Sequence, residues 1–117
     1  MNKKYVQGIM AGCLLISCSG AFAADEWVTG KIARTLSDTT KYGKCMVMSP
    51  SFKPSINCPA LWVSFSCSGD FNSKEDARRM WDSAQLAIAL DLTVHIYIVD
   101  TEHQDGYCVA KRLDIIK

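Results

Sequence analysis

The sequence predicts a mainly β domain with one helix, and three observations carry that prediction. A single uninterrupted amphipathic stretch, about Lys74–Leu90, repeats its apolar residues at three- and four-residue steps. The segments on either side alternate with period two and are separated by polar or proline-bearing breaks. Four cysteines, Cys45, Cys58, Cys67 and Cys108, lie in the part of the chain that follows a secretory leader.

The helix is the clearest element. Ser73 is placed to cap it, because its hydroxyl can accept from a free backbone N–H of the first turn. Asp76 makes a box-like S-x-x-D with it, and Glu75 and Asp76 put negative charge at the positive end of the helix dipole. Ala77, Met80, Trp81, Ala84, Ala87 and Ile88 form one apolar face, opposite Arg78, Arg79, Asp82 and Gln85. Alanines on the inner face let a helix sit close to a sheet.

Before the helix, Glu26–Leu36 reads as a first strand with Val28, Ile32 and Leu36 inward and Thr29, Lys31 and Thr35 outward. Ser37–Gly43 is a polar loop and Lys44–Met48 a short second strand. Ser49–Pro59 carries Pro50, Pro54 and Pro59 and so reads as an irregular loop. Leu61–Cys67 is the third strand, setting Val63, Phe65 and Cys67 on a buried face against Trp62, Ser64 and Ser66 on a wetter one. After the helix, Thr93–Val99 has apolar bulk on both faces and is expected to be central. Asp100–Gly106 reads as a polar turn, and Tyr107–Ile116 as the fifth strand.

The order is β-β-β-α-β-β, that of the OB-fold, a five-stranded Greek-key barrel with a helix between strands three and four. In such a barrel strands two and three are antiparallel neighbours, and strands three and five run side by side in the same direction. That geometry pairs Cys45 with Cys67 and Cys58 with Cys108. The local pairing, Cys45–Cys58 with Cys67–Cys108, is the alternative for a hairpin arrangement.

Residues 1–23 have the form of a secretory signal peptide: Lys3 and Lys4, a mostly apolar run from Val6 to Ile16, and Ala21-Phe22-Ala23 as an A-x-A cleavage site. The run is too short to span a bilayer. A second reading takes Leu15-Ile16-Ser17-Cys18 as a lipobox, with Cys18 as a lipid-anchored N-terminus. Cleavage after Ala23 leaves residues 24–117, one domain of 94 of the 117 residues. It removes Lys3 and Lys4 from 13 basic residues, leaving 11 against 12 acidic and a net charge of −1. A near-neutral domain offers no electrostatic basis for nucleic acid or an anionic membrane surface as partner. Cysteine spacings of 13, 9 and 41 contain no C-x-x-C pair, and export favours oxidation, so disulfides are expected over zinc.

The runs Gly43-Lys44-Cys45-Met46-Val47, Asn57-Cys58-Pro59, Trp62-Val63-Ser64-Phe65-Ser66-Cys67 and Gly106-Tyr107-Cys108-Val109-Ala110 resemble a group of small, exported, uncharacterised bacterial proteins of OB-fold type. The chain also resembles the B subunits of bacterial AB toxins of the subtilase-cytotoxin and typhoid-toxin type. That resemblance rests on a cysteine pair on strands two and three, the segment Ser83-Ala84-Gln85-Leu86-Ala87 and the strand Thr93-Val94-His95-Ile96. It implies an OB-fold subunit of a pentameric ring that binds sialylated glycans. Cys58 and Cys108 have no counterpart there, and no binding residue is carried over.

No catalytic constellation is visible. His95 falls mid-strand, where a packed or hydrogen-bonded structural role is expected, and His103 lies in the Glu102–Asp105 turn, where it is expected to be solvated. There is no G-x-S-x-G and no glycine-rich phosphate loop, and oxidised cysteines are not nucleophiles. Glu102, His103 and Asp105 in one turn do not make a metal site by composition alone. Asp70-Phe71-Asn72 with Glu75 lacks the register of a calcium loop and reads as a turn with a helix cap. No cofactor is implied.

A stacking surface for a ligand has better candidates: Trp27, Trp62, Tyr42, Tyr97 and Tyr107. Trp81 is assigned to the core, and Trp62 to a plug of the barrel with a ligand platform as the alternative. The expected function is therefore that of an exported, non-enzymatic binding module for a glycan or protein surface, with the homo-oligomeric ring that the toxin B-subunit resemblance implies. The alternative is a periplasmic or envelope accessory protein.

Overall fold

Period-two alternation builds one six-stranded sheet in the computed structural model, which describes residues 23–117. The leader up to Phe22 and the Cys18 lipidation reading lie outside the described residues. The strands are β1 (Asp25–Lys31), β2 (Arg34–Ser37), β3 (Cys45–Met48), β4 (Trp62–Ser64), β5 (Thr93–Gln104) and β6 (Tyr107–Ile116), with one helix, α1 (Lys74–Ala89), between β4 and β5. Spatial order is β1-β5-β6-β4-β3-β2. All neighbours are antiparallel except β4 and β6, which run parallel and meet at Ser64 and Val109.

The expected five-stranded closed barrel is corrected: there are six strands and the sheet is open. The predicted first strand breaks at Ile32-Ala33. Its first half pairs with β5, its second half with β3, and these halves form the two edges of the sheet. The break also changes which face points inward. Val28 and Ile32 are buried, as expected, but Leu36 falls in register with Met46 and Ser64, on the face opposite the core residues Val47 and Val63. The gap beside β1 is filled by the proline-bearing segment. Ser55 donates its N–H and hydroxyl to the Glu26 carboxylate, Phe52 is buried in the core, and a Cβ at Gly30 would meet Ser49 and Ser51 side chains at 2.7 Å.

Two further boundaries differ from expectation. The third predicted strand pairs only over Trp62–Ser64, because Leu61 and Ser66 both take positive φ (80° and 56°) and turn the chain out of the ladder. β5 runs on past Val99 to Gln104. Polar residues that read as a turn pair with β6 across irregularities, and only Asp105-Gly106 turn the hairpin, with φ of 51° and 90°. Strand β5 sits between β1 and β6, and Val94, Ile96 and Ile98 are buried.

The helix packs Ala77, Trp81, Ala84 and Ala87 against the sheet, with Trp81 edge-on to Phe65 (centroids 6.2 Å). Ser73 caps it, accepting from the Asp76 N–H at 3.1 Å. Asn72 pins its approach by donating to the carbonyls of Phe65 and Ala110, both at 2.9 Å. The disulfides join Cys45 to Cys67 and Cys58 to Cys108, with Cα separations of 5.8 and 5.5 Å. The first ties the start of β3 to the loop after β4; the second ties the proline-bearing segment to the start of β6. Among the described residues no helix is long and apolar enough to cross a membrane.

Candidate functional site on the outer face of the sheet

Successive residues of a strand point to opposite faces, so register decides which side chains share the face away from the helix and core. On β2–β3–β4 two rows result. Arg34, Met48 and Trp62 form one, and Leu36, Met46 and Ser64 the next. The Arg34 guanidinium lies over the Trp62 ring, 5.4 Å from its centroid. Of the two expectations for Trp62, a barrel plug and a ligand platform, the register favours the second: β4 turns Val63 inward and the half-buried Trp62 to the opposite face. Leu61, beside it, is an exposed leucine at φ 80°, a region that disfavours a branched side chain.

The second row is roofed by a loop. Tyr42, Gly43 and Lys44 are consecutive left-handed residues (φ 60°, 67° and 72°), which costs roughly 1–2 kcal/mol for each residue bearing a Cβ. The surroundings hold the turn in place. Asp105 accepts from the Tyr42 N–H at 2.6 Å, the Ser64 hydroxyl donates to the Tyr42 carbonyl at 2.9 Å, and the Ser68 N–H donates to the Gly43 carbonyl at 3.0 Å. Gly43 has no room for a side chain: a Cβ there would lie 2.7 Å from Ser64 Oγ and 2.9 Å from the Ser66 Cα.

Beneath this turn runs a buried polar chain. The Ser66 hydroxyl donates to Gln104 Oε1 (2.9 Å) and accepts from the Phe71 N–H (3.0 Å), while Gln104 Nε2 donates to Asp70 Oδ2 (3.0 Å). Ser64 and Ser66 are fully buried, contrary to the wetter face expected for them. Hydrogen bonds from Gln104 and Ser68, with Lys44 nearby, hold the Asp70 carboxyl below its ordinary range. The loops 38–44, 66–72 and 104–107 thus form one tied cluster. Of the positive-φ residues among the described residues, only Leu61 and Asp91 lie outside it. At its surface Tyr42 and Tyr107 meet edge to face, with centroids 5.8 Å apart, and Phe71 is exposed.

The other half of the outer face lies on β1–β5–β6. Register places Trp27 beside Tyr97 and Arg112, and Thr29 beside His95 and Asp114. The Trp27 and His95 rings stack at 4.2 Å and 4°, Tyr97 tilts against Trp27 at 5.2 Å, and Arg112 lies 5.4 Å from the indole centroid. The Asp25 carboxylate, bonded to the Tyr97 hydroxyl, raises that phenol above its ordinary value. Thr29 Oγ1 lies 2.6 Å from His95 Nδ1. Thr29, His95 and Asp114 have the composition of a nucleophile, a base and an acid, but Asp114 turns both oxygens to Arg112 (2.9 and 3.2 Å).

The five predicted stacking residues therefore fall into two groups, Trp27 with Tyr97 and Tyr42 with Tyr107, and Trp62 stands in the row that continues the second. His103 is tied to the Asn57 carbonyl (3.1 Å) beside the Cys58–Cys108 bridge. Among the described residues no group of three or more His, Cys, Asp and Glu side chains is arranged to hold a metal. Sequence reasoning missed Arg34, Leu61, Gln104 and the strained turn. Only Gly43 in a polar stretch signalled the last. Comparison with protein-family models, with curated proteins and with solved structures finds no match.

Proposed function

We propose that this chain is an exported, non-catalytic binding module of OB-fold-like connectivity that recognises a glycan through the outer face of β2–β3–β4 and the adjoining loop cluster. One observation carries the reading: backbone strain and buried polar bonding are concentrated beneath Tyr42 and Tyr107, and Trp62 stands in the next row of the same sheet face. Strain of this kind is held in place only where the surroundings over-determine it, and it clusters at ligand-binding sites. OB-folds bind oligosaccharides on the corresponding strand face and loops. Half-buried aromatic rings beside Arg34, Lys44 and Asp70 offer stacking and directional hydrogen bonds together, which is the chemistry a sugar ring requires. The toxin B-subunit resemblance supports the same ligand class and motivates a ring-forming homo-oligomer.

The test is a glycan array probed with the oxidised mature domain, after its native mass has been measured by light scattering. Retention of a defined saccharide set supports the reading, and a discrete pentamer supports the ring. A monomer that retains no saccharide overturns both. A second reading, an envelope accessory protein, draws on the exposed Leu61 and Phe71 at the margins of the same surface. An envelope protein captured by the wild type and lost on Leu61→Ser would favour it.

A further inference from the structure

The start of β1 carries a contact that signal processing would change. The Ala24 N–H donates to Asp100 Oδ1 at 2.8 Å, and the Asp100 N–H donates back to the Ala24 carbonyl at 3.0 Å. Both residues are half-buried. Ala24 is the residue that follows Ala21-Phe22-Ala23. We propose that signal processing at the Ala23–Ala24 bond completes an ion pair, the new α-ammonium of Ala24 with the Asp100 carboxylate, which clamps the edge strand β1 onto β5. The inference rests on the leader reading but not on the glycan reading.

The chemistry is amide hydrolysis. Water adds across the Ala23–Ala24 bond, the C–N bond breaks, Ala23 leaves with a carboxylate, and the Ala24 nitrogen gains protons to become –NH₃⁺. In the precursor that nitrogen is a neutral amide donor. In the mature chain it is a cation already within hydrogen-bond distance of a carboxylate, and charge-assisted bonds are the stronger ones. The groups around the pair do not cancel it. On β1 the neighbouring Asp25 carboxylate adds negative charge and is bonded to the Tyr97 hydroxyl of β5. On β5 the next ionisable group, Glu102, is paired with Lys111 of β6, and on β6 Val109 lies opposite Val99 and brings no charge. Cleavage one residue later would remove Ala24 and with it the clamp. A cut directly after Ala21-Phe22-Ala23 is the one that leaves a charged amine at this contact.

An α-amino group titrates near 7.7–8.0 when unpaired. Pairing with Asp100 raises its folded value. The added stability is then complete below the unfolded value and is lost as pH rises through the folded one.

The experiment begins with the exported protein. Its intact mass is expected to match Ala24–Lys117; a different start overturns the proposal. Three forms are then compared by denaturant titration at pH 7 and pH 9.5: the mature chain, the same chain acetylated on Ala24, and Asp100→Asn, which keeps an acceptor but drops the charge. Acetylation and Asp100→Asn are each expected to raise the unfolding constant about two- to fivefold at pH 7, with little further effect when combined. The difference is expected to shrink at pH 9.5. Should Asp100→Asn fail to fold, the Ala24 amine titrated by NMR in the wild type decides the matter: a raised pKa supports the clamp. Equal stability of the free and acetylated forms, or an amine that titrates at its unpaired value, overturns it.

Discussion

The two halves of the outer face are held by unlike means. On β1–β5–β6 the side chains satisfy one another: Trp27 is stacked on His95, flanked by Tyr97 and approached by Arg112, while Asp114 and Asp25 take up the remaining polar groups. On β2–β3–β4 the order comes from below. A left-handed turn rests on buried Ser64, Ser66 and Gln104, and the aromatic groups at its surface have fewer partners of their own. A surface whose central aromatic is engaged by several neighbours at once, as Trp27 is by His95, Tyr97 and Arg112, offers a ligand little. One whose shape is fixed by a buried network can present its aromatics without reorganising, so less entropy is lost on binding. That contrast is why the glycan is assigned to the second half and a packing role to the first.

The sharpest way to break the comparison is Gly43→Ala. The new Cβ meets Ser64 Oγ and the Ser66 backbone, and its φ of 67° disfavours any side chain. A loss of about 2–4 kcal/mol is expected by denaturant unfolding, from overpacking and left-handed strain together. Gln104→Ala leaves Ser66 and Asp70 without their shared partner and should cost about 1–3 kcal/mol. Trp27→Ala, on the self-paired half, removes stacking at a surface residue and should cost roughly 0.5–1.5 kcal/mol. A loss at Trp27 exceeding that at Gly43 would reverse the contrast.

Titration separates the halves at opposite ends of the pH scale. The lowered Asp70 carboxyl gives stability that is complete above its unfolded value of 3.8 and is lost as pH falls through its folded one. Asp70→Asn should therefore flatten the acid limb of an unfolding-versus-pH profile and leave the alkaline limb alone. The raised Tyr97 phenol gives stability that is complete below its unfolded value of 10.0 and is lost as pH rises through its folded one. Tyr97→Phe should flatten the alkaline limb only.

What the sequence made legible follows the reach of its signals. The helix could be read because Ser73, Asp76 and the Ala77–Ile88 spacing are local. The register that brings Cys45 to Cys67 and Cys58 to Cys108 followed from strand order, since β3 and β4 are antiparallel and β4 and β6 parallel. The break at Ile32-Ala33 was hidden because neither residue is a turn former; what ends pairing there is the change of neighbour from β5 to β3. The hairpin arm Asp100–Gln104 looked like a turn because its polar side chains are those of a loop, although its backbone pairs with β6. In the candidate site, Tyr42, Tyr107 and Trp62 were visible as aromatics, but their separation from Trp27 and Tyr97 was not. Ser64 and Ser66 read as wet because their partners, Tyr42, Phe71 and Gln104, arrive from other segments.

The central claim is that recognition belongs to the Trp62 half of the outer face and not to the Trp27 half. The most direct test is to probe one glycan array with the oxidised mature domain, with Trp62→Ala and with Trp27→Ala, after circular dichroism shows all three folded. The account predicts a saccharide set retained by the wild type and by Trp27→Ala and lost, tenfold or more in affinity (about 1.4 kcal/mol or more), by Trp62→Ala. Binding that survives Trp62→Ala and disappears with Trp27→Ala would contradict it.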